Sequence, residues 1–216
     1  MKYDFDAAVF DMDGTLLDTM PYWRYTALEY LLAHRLPVFQ DMLAVMHCTS
    51  SRKLIRDNAE RLGIVNLNFE DMVHEMEGFM NRHYLYDAQL KDPAVPAFLN
   101  SLKSRGIRLC VATGSPRQYA RNGLKRLGLI DYFDFVTDNY EAPYAKDQPA
   151  YFVNLAQRLG VEPTRCVVFE DALYSMKSAK AAGMRVCAIE DATQSADKEA
   201  IQSLADWYIQ SYTEIM

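Results

Sequence analysis

Positive charge is in short supply in this sequence of 216 residues: 23 lysines and arginines face 29 acidic residues, for a formal net charge of -6. That balance argues against a nucleic-acid backbone or an anionic membrane as the main partner. A phosphate ligand would need local positive charge plus a metal rather than a global field. Long apolar runs are missing too. Nothing approaches the roughly 18 residues of a membrane span. The start, MKYDFDAAVFDMD, offers no apolar stretch long enough for a signal peptide, so a cytoplasmic protein is expected. Cys48, Cys110, Cys166 and Cys187 have no CxxC or paired spacing, and the last three sit in or beside apolar runs, as small core residues do. His34, His47, His74 and His83 lack the spacing of zinc ligands, so no zinc site is expected. Internal repeats and low-complexity tracts are also absent.

What is present is an alternation. Short β-branched or apolar runs, DAAVFD (6–11), IRLCVAT (107–113), FDFVT (133–137), RCVVFE (165–170), RVCAIE (185–190) and WYI (207–209), are separated by helical patterns. The helices are expected at about 92–104, opened by Asp92 as N-cap and Pro93, and at about 116–127, 148–159 and 172–182, with a further short one after 190. Gly160 and Gly183 are expected to close two of them. Strands alternating with helices of this length imply βαβ units and a parallel sheet with helices on both faces. From about Thr19 to Asp87 the rhythm breaks into amphipathic helix alone, as in FEDMVHEMEGFMNRHYLY. About seventy helical residues exceed one crossover. The expected organisation is therefore an α/β core from 1–18 and 88–216, with a helical subdomain over 19–87 inserted after the first strand.

Open parallel sheets bind ligands at the carboxyl ends of their strands. Those ends carry Asp11 and Asp13, Thr113-Gly114-Ser115, and Glu170-Asp171, while Lys146 lies in the loop EAPYAKDQP before a helix. Adjacent buried carboxylates repel unless a cation is near. Four carboxylates on one rim make a hard oxygen site suited to magnesium. Lys146, Thr113 and a helix N-terminus add the donors that suit a phosphoryl group. In such a site Asp11, beside Lys146 and a metal, is expected to stay ionised with a depressed pKa, available as a nucleophile toward phosphorus. Asp13, past the turn that Gly14 permits, is placed to protonate a leaving oxygen and later to activate water.

These residues carry a resemblance. FDMDGTLLDT (10–19) resembles the first signature of haloacid dehalogenase-superfamily phosphohydrolases, VATGS the second at Thr113, and VVFEDALYSMKSAKAAGM the fourth at Glu170 and Asp171. Lys146 fits the third, and all four come in the family's order. The helical insert resembles the C1 cap of the β-phosphoglucomutase and phosphoglycolate phosphatase branch. The resemblance implies a Rossmann-like core, Asp11 as nucleophile and Asp13 as acid/base. It implies magnesium held by Asp11, the Asp13 carbonyl, and Glu170 or Asp171, with Thr113 and Lys146 on the phosphoryl group. Gly114 and Ser115 are expected to contribute to that phosphate site.

Departures refine the expectation. Where the third signature usually reads Gly-Lys-Pro-x-Pro-acid, this chain has Ala145-Lys146-Asp147-Gln148-Pro149-Ala150, which sets a negative charge beside the phosphate site. Ser175 stands where the fourth signature usually has Gly, and a local packing change is expected there. The cap position that holds a His in the mutases is Trp23 here, which favours a hydrolase. In the cap, Tyr22, Trp23, Tyr25 and Tyr30 and the segment HCTSSRKLIR offer either a substrate wall, with Trp23 and Arg52 as its contacts, or packing and a solvated helix face. Met42, Met46, Met72, Met76 and Met80 are expected in the cap core. The sequence thus points to a magnesium-dependent phosphatase, monomeric or weakly dimeric, acting on a small phosphomonoester such as a sugar phosphate, phosphoglycolate or nucleotide. A β-phosphoglucomutase-like isomerase and a non-catalytic binding protein stand as alternatives.

Overall fold

The computed structural model describes residues 3–46, 49–139 and 144–216. The chain divides into two units, one built from residues up to Asp18 and from Gln89 onward, the other from Thr19–Ala88. His47 and Cys48, and residues 140–143 of the loop before Lys146, lie outside the described residues.

The first unit is α/β. Its strands β1 (Ala7–Phe10), β4 (Arg108–Ala112), β5 (Phe135–Thr137), β6 (Cys166–Glu170), β7 (Arg185–Ile189) and β8 (Trp207–Ile209) form one parallel sheet in the order β5-β4-β1-β6-β7-β8. The inner strands are buried on both faces, which is why AAVF and CVVFE read as unbroken apolar runs rather than alternations. One face packs Ala7, Val9, Cys110, Ala112, Cys166 and Val168 against α7 (Pro149–Leu159), α8 (Leu173–Ala181) and α9 (Lys198–Leu204). On the other, Phe10 stacks on Phe169 at 4.4 Å and meets Phe98 of α5 (Val95–Lys103) edge-on at 6.3 Å. A further helix, α6 (Arg117–Arg126), follows β4. Gly160 and Gly183 end α7 and α8 at positive φ of 71° and 85°, a conformation open to Gly without a Cβ clash.

Strand order reverses direction at β1: the chain runs from β1 out through β4 to β5, then returns to β6 on the other side. The carboxyl end of β1 is therefore the switch point where an open sheet leaves a crevice.

Two expectations shift. The helix foreseen at Asp92-Pro93 begins at Val95. The Asp92 carboxylate does take the Ala94 amide, but it also accepts from Ser211 Oγ at 2.6 Å and the Tyr212 amide at 2.8 Å, contacts set by the far end of the chain. Strand β5 starts at Phe135 rather than Phe133, because Asp134 turns its carboxylate onto the Leu109 amide and Arg108. A short antiparallel ladder of β2 (Leu17–Asp18) with β3 (Gln89–Leu90) was not legible in residues so few.

The second unit is helical among its described residues: α1 (Met20–Ala33), α2 (Gln40–Val45), α3 (Ser51–Asp57) and α4 (Phe69–Tyr86). Ala27, Leu31, Met42, Met46, Leu54, Ile55, Met72, Met76 and Phe79 form its core, and Met80 is also fully buried. Asn68 caps α4 by accepting from the Glu70 and Asp71 amides. Ser51 Oγ donates to the Trp23 and Arg24 carbonyls and so ties α3 to α1. Among the described residues, no helix of either unit is long and apolar enough to cross a membrane.

Candidate active site

Asp11 directly follows β1, its amide bonded to the Phe169 carbonyl of β6. Lys146 reaches the same place from the loop before α7. Its Nζ donates to Asp11 Oδ1 at 2.6 Å and to the Ala112 carbonyl at the end of β4 at 3.0 Å, and pairs with Glu170 Oε2 at 2.8 Å. The ammonium is only 2% exposed and Asp11 7%. An ammonium this enclosed persists only with such anionic company. The main-chain Lys146 amide is held by Asn139 Oδ1 at 3.4 Å.

Acids outnumber cations. Oxygens of Asp11, Glu170 and Asp171, all buried, lie within 4.8 Å of one another. Burial, then the Glu170 charge, pushes Asp11 up to about 8 against the pull of Lys146. Burial, then Glu170 and Asp11, holds Asp171 well above the usual carboxylate range. Burial also opposes ionisation of Glu170, yet Lys146 and the Ser175 hydroxyl outweigh it and hold Glu170 below its ordinary value. Lys146 is raised despite burial, because Asp11 and Glu170 face it. The depressed pKa expected for Asp11 beside a metal is a different state from this one, in which one ammonium does not balance three carboxylates. A divalent cation would. Asp11 Oδ2, moreover, is buried without a hydrogen-bond partner. Hard oxygens converging around an orphaned carboxylate oxygen fit magnesium.

The other residues singled out from sequence fall into two groups. Asp13 follows the Asp11-Met12 step, where Gly14 at φ 89° lets the chain fold back so that its amide meets the Leu17 carbonyl. Asp13 Oδ2 accepts from Ser115 Oγ at 2.8 Å, and its charge adds to those that raise Asp11, although its oxygens are not among the three that converge. Thr113 is fully buried at the end of β4, its Oγ1 accepting from the Ser115 amide at 3.0 Å, and the exposed Gly114 makes the turn between them. These residues share one rim. Asp147 is exposed.

Trp23 and Arg52 belong to the helical unit. Trp23 Nε1 donates to Tyr84 Oη at 3.2 Å. The Arg52 guanidinium carbon lies 5.7 Å from the Trp23 ring, and its Nη2 donates to the buried Glu77 Oε1 at 3.0 Å. Tyr30 is core, Tyr22 stacks on His83 at 4.3 Å, and Lys53 and Arg56 pair with Asp57 on an exposed helix face.

Sequence reasoning missed several contributors. Ser175, singled out only for a packing change, has its Oγ donating to Glu170 Oε2 at 2.6 Å. Asp138, buried, accepts from the Arg117 amide at 2.6 Å and opens α6, which has no capping side chain at Pro116. Gln194 Nε2 reaches Asp171 Oδ2 at 3.4 Å, and Asp191 beside it takes Lys91 at 2.6 Å. The signal for the last group was available: EDATQ follows β7 at the same carboxyl edge.

Residues 5–183 match the family model described as haloacid dehalogenase-like hydrolase. The chain is 34% identical over 180 residues to fructose-1-phosphate phosphatase YqaB of Escherichia coli, covering 82% of this chain and 92% of that one. It is 31% identical over 182 residues to a phosphorylated carbohydrates phosphatase of Thermotoga maritima, covering 83% and 82%. A solved structure of a putative beta-phosphoglucomutase from Thermotoga maritima superposes with a TM-score of 0.75 at 27% identity, over 94% of each chain.

Proposed function

The chain belongs to the haloacid dehalogenase-like hydrolase family, and from that premise we propose that it is a magnesium-dependent phosphatase of small phosphomonoesters, sugar phosphates foremost, working through an aspartyl-phosphate on Asp11. One observation carries the reading: Lys146 claims Asp11 Oδ1, while Asp11 Oδ2 is buried and unpartnered. A carboxylate oxygen of Asp11 attacks phosphorus, a bond forms between them, and the ester P–O bond breaks. Asp13, carrying a proton, passes it to the leaving oxygen. In the second step Asp13 takes a proton from water as the water oxygen attacks the same phosphorus, and Asp11 leaves as carboxylate with inorganic phosphate released. Lys146 and Thr113 hold the phosphoryl oxygens, and the Ser115 hydroxyl aims Asp13. Asp11, the Asp13 carbonyl and Glu170 or Asp171 would hold magnesium, which would supply positive charge to offset that of the transferring group.

In this reading the helical unit is the cap that selects the leaving group, with Trp23 and Arg52 as its contacts. Trp23 also favours hydrolysis over a mutase: an indole does no acid/base work, and its N–H is given to Tyr84. The test is phosphate release across a panel of phosphomonoesters, with and without magnesium, for wild type and Asp11→Asn. Release that needs magnesium and falls by at least about a thousandfold in the variant is expected. Release that persists in Asp11→Asn, or none from any substrate in wild type, overturns the proposal.

A further inference from the structure

Distance alone makes Asp11, Glu170 and Asp171 equal candidates for a cation. Their hydrogen bonds do not. Glu170 Oε1 accepts the Asp171 and Ala172 amides, each at 3.1 Å, while Oε2 accepts Ser175 Oγ at 2.6 Å and faces Lys146 Nζ at 2.8 Å. An ionised carboxylate has about four acceptor sites, so this one is filled. Asp11 keeps an oxygen without a partner, and Asp171 receives the Gln194 amide at the long distance of 3.4 Å.

We infer that Ser175 is a positioning residue whose hydroxyl locks the Glu170 carboxylate onto Lys146, so that the cation is ligated by Asp11 and Asp171 and not by Glu170. The assignment rests on the magnesium reading above. Ser175 is fully buried in the first turn of α8, five residues beyond Glu170, where the fourth signature would usually supply a Gly and no hydroxyl. A Gly there would leave Glu170 Oε2 one donor short and free to turn toward a metal. The serine removes that freedom. Glu170 then serves Lys146, fixing the ammonium between Asp11 and the end of β4.

The test is calorimetric titration with magnesium alone, for wild type, Ser175→Ala, Asp171→Asn, Glu170→Gln and the Ser175→Ala/Glu170→Gln double variant. Deleting the hydroxyl releases Glu170 to the metal, so Ser175→Ala is expected to bind magnesium about tenfold more tightly, the scale of one hydrogen bond to a charged group. The gain should vanish in the double variant. A packing lesion would weaken binding instead, so the sign separates positioning from structure. Asp171→Asn is expected to lose far more affinity than Glu170→Gln. Unchanged or weaker binding in Ser175→Ala overturns the inference, as does a Glu170→Gln loss equal to that of Asp171→Asn. If Ser175→Ala does not fold, Ser175→Cys, similar in size and a weak donor, carries the same expectation of tighter binding. Wild type that binds no magnesium overturns the metal reading itself, a result distinct from any pattern among the variants.

Discussion

Replacing Lys146 with Met removes the ammonium and keeps much of the side chain's length. Asp11, Glu170 and Asp171 are then left buried around no cation. The cluster answers by holding one more proton than before. An unperturbed carboxyl ionises near pH 4, so holding a proton near pH 7 costs about 1.4 kcal/mol for each of about three pH units, roughly 4 kcal/mol. That agrees with the 3–5 kcal/mol expected when one partner of a buried ion pair is lost, taken as an order of magnitude. The pH dependence has a definite sign. An acid whose folded pKa is raised binds its proton more tightly in the native state, so its destabilising effect is absent below the unfolded pKa and full above the folded one. Metal-free wild type already loses stability through Asp11 between about pH 4 and about 8. Lys146→Met adds a further such acid to Asp11 and Asp171, and its deficit should shrink to about 1.5 kcal/mol near pH 5. Urea unfolding in a chelator at both pH values measures it. A deficit under about 1 kcal/mol near pH 7, or one that grows on acidification, would refute the charge balance drawn here.

Two further predictions concern stability elsewhere. Asp92 resists burial through the Ser211 hydroxyl and the Ala94 and Tyr212 amides, which together hold its carboxyl below the ordinary value. Asp92→Ala should cost about 2 kcal/mol at neutral pH by urea unfolding, and its deficit should fade as pH falls below about 4, where a depressed carboxyl finally protonates. In the helical unit, Arg52→Met takes the guanidinium away from the 2%-exposed Glu77 and should cost about 2 kcal/mol, at the low end because Arg52 is 37% exposed and His74 lies 3.5 Å from the other Glu77 oxygen. Adding Glu77→Gln should restore most of it, and additive losses in that double-mutant cycle would show that the pair is not coupled.

The parallel sheet was legible because its central strands are buried on both faces, and a run such as CVVFE carries no polar residue until the strand ends. The helical unit was legible through the lack of any such run across seventy residues. What escaped has a common cause in sequence separation. Asp92 looks like an N-cap, but Ser211 and Tyr212, some 120 residues on, share its carboxylate. The ladder of Leu17-Asp18 with Gln89-Leu90 closes across the entire helical insert, with two residues a side to signal it.

At the site, residue types and rim were legible but which side chains meet was not, and strand alternation explains both. Ala7 and Val9 of β1 and Cys166 and Val168 of β6 face α7 and α8. A period of two puts Asp11 and Glu170 on that same side. Lys146, entering just before α7, and Ser175, on the first turn of α8, meet them there. Asp171 is one residue out of phase with Glu170. In sequence the two are adjacent acids of equal promise; once the sheet register is known, one faces the lysine and the serine and the other does not. The pair Glu170-Asp171 thus takes opposite phases where β6 ends, and it is Glu170 that accepts from the serine five positions downstream.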